Sequence, residues 1–265
     1  MGNMTKLTQD SVSSGVTHPL QVISVIVPVF NERSSVKQLV DRIFAVNIPY
    51  ARKQTIIVDD GSTDGTQEWL LQRFPEASAA GMDVKLICQP RNLGKGTAIR
   101  AALQCVEGQV TVILDADLEL DPADIPHLVN PILADDADVV FGNRFVDGRR
   151  RARDTLHYVT NKSLTLLARL ITGLKVNDIE VGYKAFRTDL MRHMSLRSRG
   201  FEIEMELAVK TAELRCRLIE VPVLYTARNV IQGKKFRWKD GFSAVYWLLY
   251  FRCFCRDKNN LRCEG

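Results

Sequence analysis

Residues 111–122 read TVILDADLELDP. Four residues suited to a buried strand run directly into Asp115, Asp117 and Glu119, three carboxylates at alternate positions. Like charges so close repel, so the run is expensive unless something positive sits among them. Asp121 before Pro122 reads as the cap of a following helix. Asp115 and Asp117 lie too early for that role. The stretch therefore predicts a strand, an acidic tip and a helix.

The same rhythm extends outward from it. Upstream, VISVIVPV (22–29), QTIIVDD (54–60) and VKLICQ (84–89) are apolar, β-branched runs that read as strands, and residues 110–116 and 137–143 continue the series. Helical spacing fills the intervals at 34–46, 63–74, 94–106 and 122–133. Strand and helix alternating through short turns predict an α/β fold, a mainly parallel Rossmann-like sheet flanked by helices. In the second half, helices are expected at 155–172 and 203–214 and strands at 183–187 and 217–227. No linker separates the halves, and there is no internal repeat.

Composition is that of an ordinary soluble protein: 265 residues, 46% hydrophobic and 25% charged. A net charge of +5 makes no case for nucleic acid but suits an anionic substrate or membrane surface. Residues 1–21 are polar and lack the apolar core of a secretory signal, so a disordered tail is expected. The six cysteines show neither a CxxC pair nor zinc spacing and read as reduced thiols of a cytoplasmic protein. No window reaches the roughly 20 apolar residues of a membrane span. The nearest, GFSAVYWLLYFRCF at 241–254, predicts an amphipathic, aromatic C-terminal helix within 239–265, one that either packs on the core or lies at a membrane interface.

In open parallel sheets, ligands bind beyond the carboxyl ends of the strands. Three strands here end in polar clusters: Pro28-Val-Phe-Asn-Glu32, Val58-Asp-Asp-Gly-Ser-Thr-Asp64 and the acidic run. Asp115 and Asp117 are hard oxygen donors suited to Mg²⁺ or Mn²⁺, ions that keep room for water and phosphate oxygens. A carboxylate in the Asp59-Asp60 pair suits the N–H groups of a nucleobase. Residues 92–97, NLGKGT, lack Walker spacing and read as a structural turn, with Lys95 a modest electrostatic helper. Glu202, Glu204 and Glu206 read as a solvated helix start. His157 and His193 show no partner pattern.

In order along the chain, PVFNE, VDDGSTDGT, NLGKGTAIRAAL and DADLELDP resemble the family 2 glycosyltransferases of the GT-A fold. GNRF, DIEVGYKAFR and the later EVPVLYTAR, GKK and WKDG segments resemble the dolichyl-phosphate and polyprenyl-phosphate sugar synthase branch. The likeness covers about residues 22–250. It implies a catalytic domain over 22–238, with a nucleotide-binding part (22–143) and an acceptor part (144–238). It also implies an inverting, metal-dependent transfer of a hexose from a nucleotide-diphosphate sugar, of the GDP-mannose or UDP-glucose type, to a polyprenyl or dolichyl phosphate.

Carried over by position, the resemblance places Pro28, Phe30, Glu32, Val58, Asp60, Asp115 and Ala116 on the nucleotide; the family often has Tyr where Phe30 stands. Asp115 and Asp117 match the DxD motif that holds the Mg²⁺ or Mn²⁺, with Glu119 a possible third ligand. Asp117, Arg144, Arg228 and Lys234 match the catalytic set, the last two on a mobile loop that grips phosphates. Relatives with additional membrane spans make this chain, as given, an expected peripheral protein on the cytoplasmic face, or one with a separate membrane subunit. The competing expectations are transfer to a non-lipid sugar acceptor in cell-surface polysaccharide synthesis and a non-catalytic nucleotide-sugar-binding protein. Processive synthases carry QxxRW, and here Lys234 replaces the Gln before Arg237-Trp238. A nucleotidyltransferase would want a glycine-rich loop where FNERSSV stands.

Overall fold

The computed structural model describes residues 21–145, 155–226 and 238–255. The expected disordered tail falls on residues outside this set, except Gln21, which opens the first strand. Helix–strand alternation appears as predicted. Strands β1 (Gln21–Val29), β2 (Ala51–Asp59), β3 (Asp83–Cys88), β4 (Val110–Leu114) and β5 (Val139–Asn143) are separated by helices α1 (Val36–Ala45), α2 (Thr66–Ala79), α3 (Lys95–Leu103) and α4 (Ile125–Leu133). Helix α5 (Thr155–Thr172) then leads to β6 (Tyr183–Arg187), the short α6 (Thr188–His193), α7 (Ile203–Glu213), β7 (Leu218–Pro222) and α8 (Trp238–Phe254).

All seven strands form one sheet in the order β3-β2-β1-β4-β6-β5-β7. β1 pairs in parallel with both β2 and β4, and β5 pairs in parallel with β7. Only β6 is reversed: it lies antiparallel between β4 and β5. The sheet is therefore continuous across both halves of the chain. Strand order turns back between β1 and β4, the switch point where such sheets leave a crevice beyond their carboxyl ends.

The central strands are buried on both faces, as their unbroken apolar runs require. Val25, Ile26 and Val27 of β1, Ile56 and Ile57 of β2 and Val112 to Leu114 of β4 are at or near zero exposure. Helices supply the covering layers: Leu39, Val40 and Ile43 of α1, Ile99 of α3 and Leu128 of α4 are fully buried. In the last strand, regular pairing ends at Pro222, short of the expected 227; beyond it Tyr225 makes an isolated antiparallel bridge to Leu120.

α8 packs on the core through one face. Leu248 and Phe251 pack inward, whereas Tyr246, Leu249 and Phe254 are exposed. No helix among the described residues is long and apolar enough to cross a membrane.

Candidate active site

The register of the sheet sets the site. Ile26 of β1 stands opposite Ile113 of β4, so the Asp115–Asp117 tip rises level with the segment after Pro28. Val29 stands opposite Asp59, which brings the β2 tip alongside. All three polar clusters thus meet at one edge.

The β1 and β2 tips are laced together by side chains. Asn31, held at φ 53°, donates its backbone N–H to Ser62 Oγ (2.9 Å) and accepts from the Thr63 N–H (2.8 Å). Arg33 N–H reaches Asp64 at 3.0 Å, and Glu32 N–H reaches Thr66 Oγ1 at 3.0 Å. The Glu32 carboxylate accepts from Ser35 at the start of α1. Asp60 takes the backbone N–H groups of Leu93 and Gly94, both at 2.8 Å, so it anchors the loop before α3. Val58 is fully buried between β1 and β3, and Phe30 is 42% exposed at the rim.

The residues 92–97 turn is structural. The Gly96 and Thr97 N–H groups at the start of α3 donate to the carbonyls of Gly200 and Arg199 (3.2 and 3.0 Å). Those are the donors a phosphate would have used.

At the β4 tip a buried lysine places positive charge beside the acidic run. Lys95 Nζ lies 2.5 Å from Asp115 Oδ1 and 2.6 Å from Glu204 Oε1, and Lys184 holds the other Glu204 oxygen. Lys95 is therefore not a peripheral helper. Burial opposes its charge, but Asp115 and Glu204 outweigh that and raise its pKa above that of an ordinary lysine. Glu204 is likewise held below its usual range: burial works against ionisation, and Lys184 and Lys95 overcome it. The expectation of a solvated glutamate cluster at 202–206 is corrected. Glu204 and Glu206 are buried, Glu206 accepts from the Arg197 and Ser198 N–H groups (2.8 Å each), and Glu202 accepts from Arg199 and Gly200. These side chains satisfy the backbone of the loop that closes on α3.

Asp117 and Glu119 follow Asp115 through a tight turn. Leu118 turns at φ 57°, and Asp117 Oδ1 accepts the Glu119 N–H at 3.1 Å. The Glu119 carboxylate lies by the Tyr225 hydroxyl, whose pKa is pushed up to about 12, by burial first and by Glu119 next. Among the described residues no three His, Cys, Asp or Glu side chains are gathered into a metal cage. Asp115 is bonded to Lys95, and Glu119 lies by Tyr225. Two hard carboxylates at a strand tip still fit an ion that takes most of its ligands from water and phosphate.

Arg144, just after β5, makes a fork on Asp178: Nε to Oδ2 at 2.6 Å and Nη2 to Oδ1 at 2.7 Å. Its guanidinium lies over the rings of Tyr225 (5.3 Å) and Phe145 (5.5 Å). Asp178 is fully buried; burial alone would raise its pKa, and Arg144 brings it below the usual carboxylate value. The Thr226 N–H bonds the Glu119 carbonyl at 2.8 Å, so the chain passes the acidic tip immediately before Arg228. Arg228, Lys234 and the arginine-rich residues 149–153 lie outside the described residues.

Residues 24–194 match the family model described as Glycosyl transferase family 2. The chain belongs to this family. Among curated family members, it is 30% identical over 185 residues to the dodecaprenyl-phosphate galacturonate synthase of Rhizobium johnstonii, a match spanning 69% of this chain and 53% of that protein. It is 29% identical over 219 residues to the undecaprenyl-phosphate mannosyltransferase of Micrococcus luteus, spanning 80% and 86%. The chain thus spans about half the length of the first relative and most of the second. The glucosyl-3-phosphoglycerate synthase of Mycobacterium tuberculosis superposes with a TM-score of 0.64 at 23% identity, covering 90% of this chain and 82% of that one. One structure of that enzyme contains Mn²⁺, UDP and glucosyl-3-phosphoglycerate. At such identity the likeness establishes the GT-A fold.

Sequence pattern does not place Glu204, Lys184 or Gly182 in the site; Asp178 precedes GYKAFR, on the acceptor side of the family's pattern, without an assigned role. A Cβ at Gly182 would fall on the Asp115 carboxylate, so a glycine is needed there. Lys184 stands between Tyr183 and Ala185 in β6, which was the one available signal.

Proposed function

We propose that this glycosyltransferase moves a hexose or hexuronate from a nucleotide-diphosphate sugar to a polyprenyl phosphate, with inversion and with Mg²⁺ or Mn²⁺. The observation that carries the reading is the Asp115–Asp117 tip at the β1/β4 switch point, in a chain whose two named relatives both act on polyprenyl phosphates. Asp117, with Asp115 beside it, would hold the ion, which when bound neutralises the diphosphate. The tips of β1 and β2 hold the nucleoside, through Pro28, Phe30 and the laced loops around Asp60.

The acceptor phosphate oxygen is already anionic near neutral pH, so no strong base is required. That oxygen forms a bond to the anomeric carbon as the bond to the diphosphate oxygen breaks, and the nucleoside diphosphate leaves with the electron pair. Arg144 is held by Asp178 in a fixed orientation for the acceptor phosphate, and Arg228 and Lys234 are assigned to the leaving group. The catalytic contribution is positioning and charge stabilisation. The exposed apolar residues of α5 and α8 support a peripheral contact with the membrane in which such an acceptor resides.

The test is incubation with Mn²⁺ or Mg²⁺, a panel of GDP- and UDP-linked hexoses and UDP-galacturonate, and a short polyprenyl phosphate. A charged glycolipid is the expected product. Transfer only to soluble phosphate or sugar acceptors would replace the lipid reading. Tight donor binding without any turnover would replace the enzyme reading.

A further inference from the structure

Lys95 occupies a place that physical chemistry disfavours twice. It is the first residue of α3, where the helix dipole is positive and repels a cation. It is also 9% exposed, so its ammonium has lost most of its water. A buried charge persists only where it is paired, and Lys95 is paired on two sides: Asp115 at 2.5 Å and Glu204 at 2.6 Å. Phe201, on the loop before α7, brings its ring to 6.0 Å from the same ammonium. Glu204 is held from behind by Lys184 of β6, which also donates to the carbonyls of Ile179 and Val181. Gly182 leaves no room on the other side of Asp115. The first carboxylate of the acidic pair is thus clamped between an ammonium and a bare backbone.

We infer that Lys95 is a positioning residue for the transfer reaction: bridged between Asp115 and Glu204, it fixes the first carboxylate of the acidic pair and serves as its resident cation. Asp117, the second carboxylate of the pair, would then take the divalent ion. The geometry links the two halves of the chain, because Lys95 and Asp115 belong to the nucleotide side and Glu204 and Lys184 to the acceptor side. The inference rests on the reading that the acidic tip serves a divalent ion with a nucleotide diphosphate.

Two substitutions predict opposite shifts, which a purely structural role would not give. Lys95→Met removes the resident cation and frees an Asp115 oxygen, so nucleotide-free protein should bind Mn²⁺ at least about tenfold more tightly than wild type. Glu204→Gln keeps the shape but gives the ammonium to Asp115 alone, so Mn²⁺ affinity should fall below wild type. In both variants the donor KM should rise: Lys95→Met releases Asp115, and Glu204→Gln leaves the Lys95 ammonium anchored on one side only. Lys95→Arg keeps the charge with different reach; its Mn²⁺ affinity should stay near wild type while its donor KM rises.

Mn²⁺ binding is read by electron paramagnetic resonance on nucleotide-free protein, with a thermal melt to establish folding and donor kinetics alongside. If Lys95→Met lacks a cooperative melt, the fall predicted for Glu204→Gln is read against wild type and Lys95→Arg, which should agree with each other. Equal Mn²⁺ affinity in wild type and the folded variants overturns this inference and leaves the transferase reading standing. No Mn²⁺ binding in any variant, with or without UDP or GDP, overturns both.

Discussion

Asp178 has no exposed side-chain surface, and Arg144 spends two of its donors on it. Removing one partner of such a buried pair typically costs about 3–5 kcal/mol. Asp178→Asn should therefore lower the melting temperature by roughly 10 °C. If Arg144 receives the acceptor phosphate, the same variant raises the acceptor KM and leaves the donor KM unchanged; steady-state kinetics on both substrates check this. Gly182→Ala is the sharper probe of the acidic tip, since its new Cβ must displace the Asp115 carboxylate. Misplacing a catalytic group by about an ångström costs about a hundredfold, so the turnover number should fall by that order while the melt changes less. Asp117→Ala should abolish transfer in a protein that still melts cooperatively. Of these residues, Asp115, Asp117 and Arg144 were legible in the sequence because each follows directly on a strand. Asp178 and Glu204 were not, because only the tertiary fold removes them from water and pairs them with cations.

At the scale of elements, the strands and most helices were legible as runs of period and punctuation, with ends displaced by a few residues. The place of β6 was not. Its antiparallel insertion between β4 and β5 depends on pairings remote in sequence, for which local pattern carries no signal. The short α6 was also missed, being too brief to establish a period. One side chain pins this part of the sheet. Asp138, at the edge of β5, accepts from the Arg217 backbone (2.8 Å) and guanidinium (2.9 Å) before β7, and Arg187 at the end of β6 lies 3.5 Å away. Burial raises the Asp138 pKa, but the bonds from Arg217 outweigh it and leave it below the ordinary carboxylate value. A depressed folded pKa means that the ionised form stabilises the fold above the unfolded value, about 3.9, and that this is lost as pH falls through the folded value. Urea midpoints should then separate wild type from Asp138→Asn at pH 7 and converge as the pH drops below 4. A constant gap across that range would remove ionisation from the account.

For the whole molecule, the question is how a chain with no spanning helix among its described residues would meet the proposed polyprenyl phosphate acceptor. Helices α5 and α8 pack against each other, and each turns apolar residues outward: Val159, Leu166 and Leu170 on one, Tyr246, Leu249 and Phe254 on the other. The α5 sequence contains Lys162 and Arg169 and no acidic residue, so positive charge accompanies the exposed apolar stripe. Apolar side chains with basic neighbours suit an anionic lipid surface, which takes the former into its interface and attracts the latter. Sequence alone left α8 between core packing and interfacial contact, because a single helix pattern cannot say which face the fold covers. With the inner face packed through Leu248 and Phe251, replacing Tyr246, Leu249 and Phe254 together by serine should spare the core. Sedimentation with vesicles containing an anionic lipid should show wild type bound and the triple variant largely free, at unchanged melting temperature. Added salt should weaken the wild-type binding without abolishing it, since the apolar part is not screened. Equal sedimentation of the two proteins would move the membrane contact to another face.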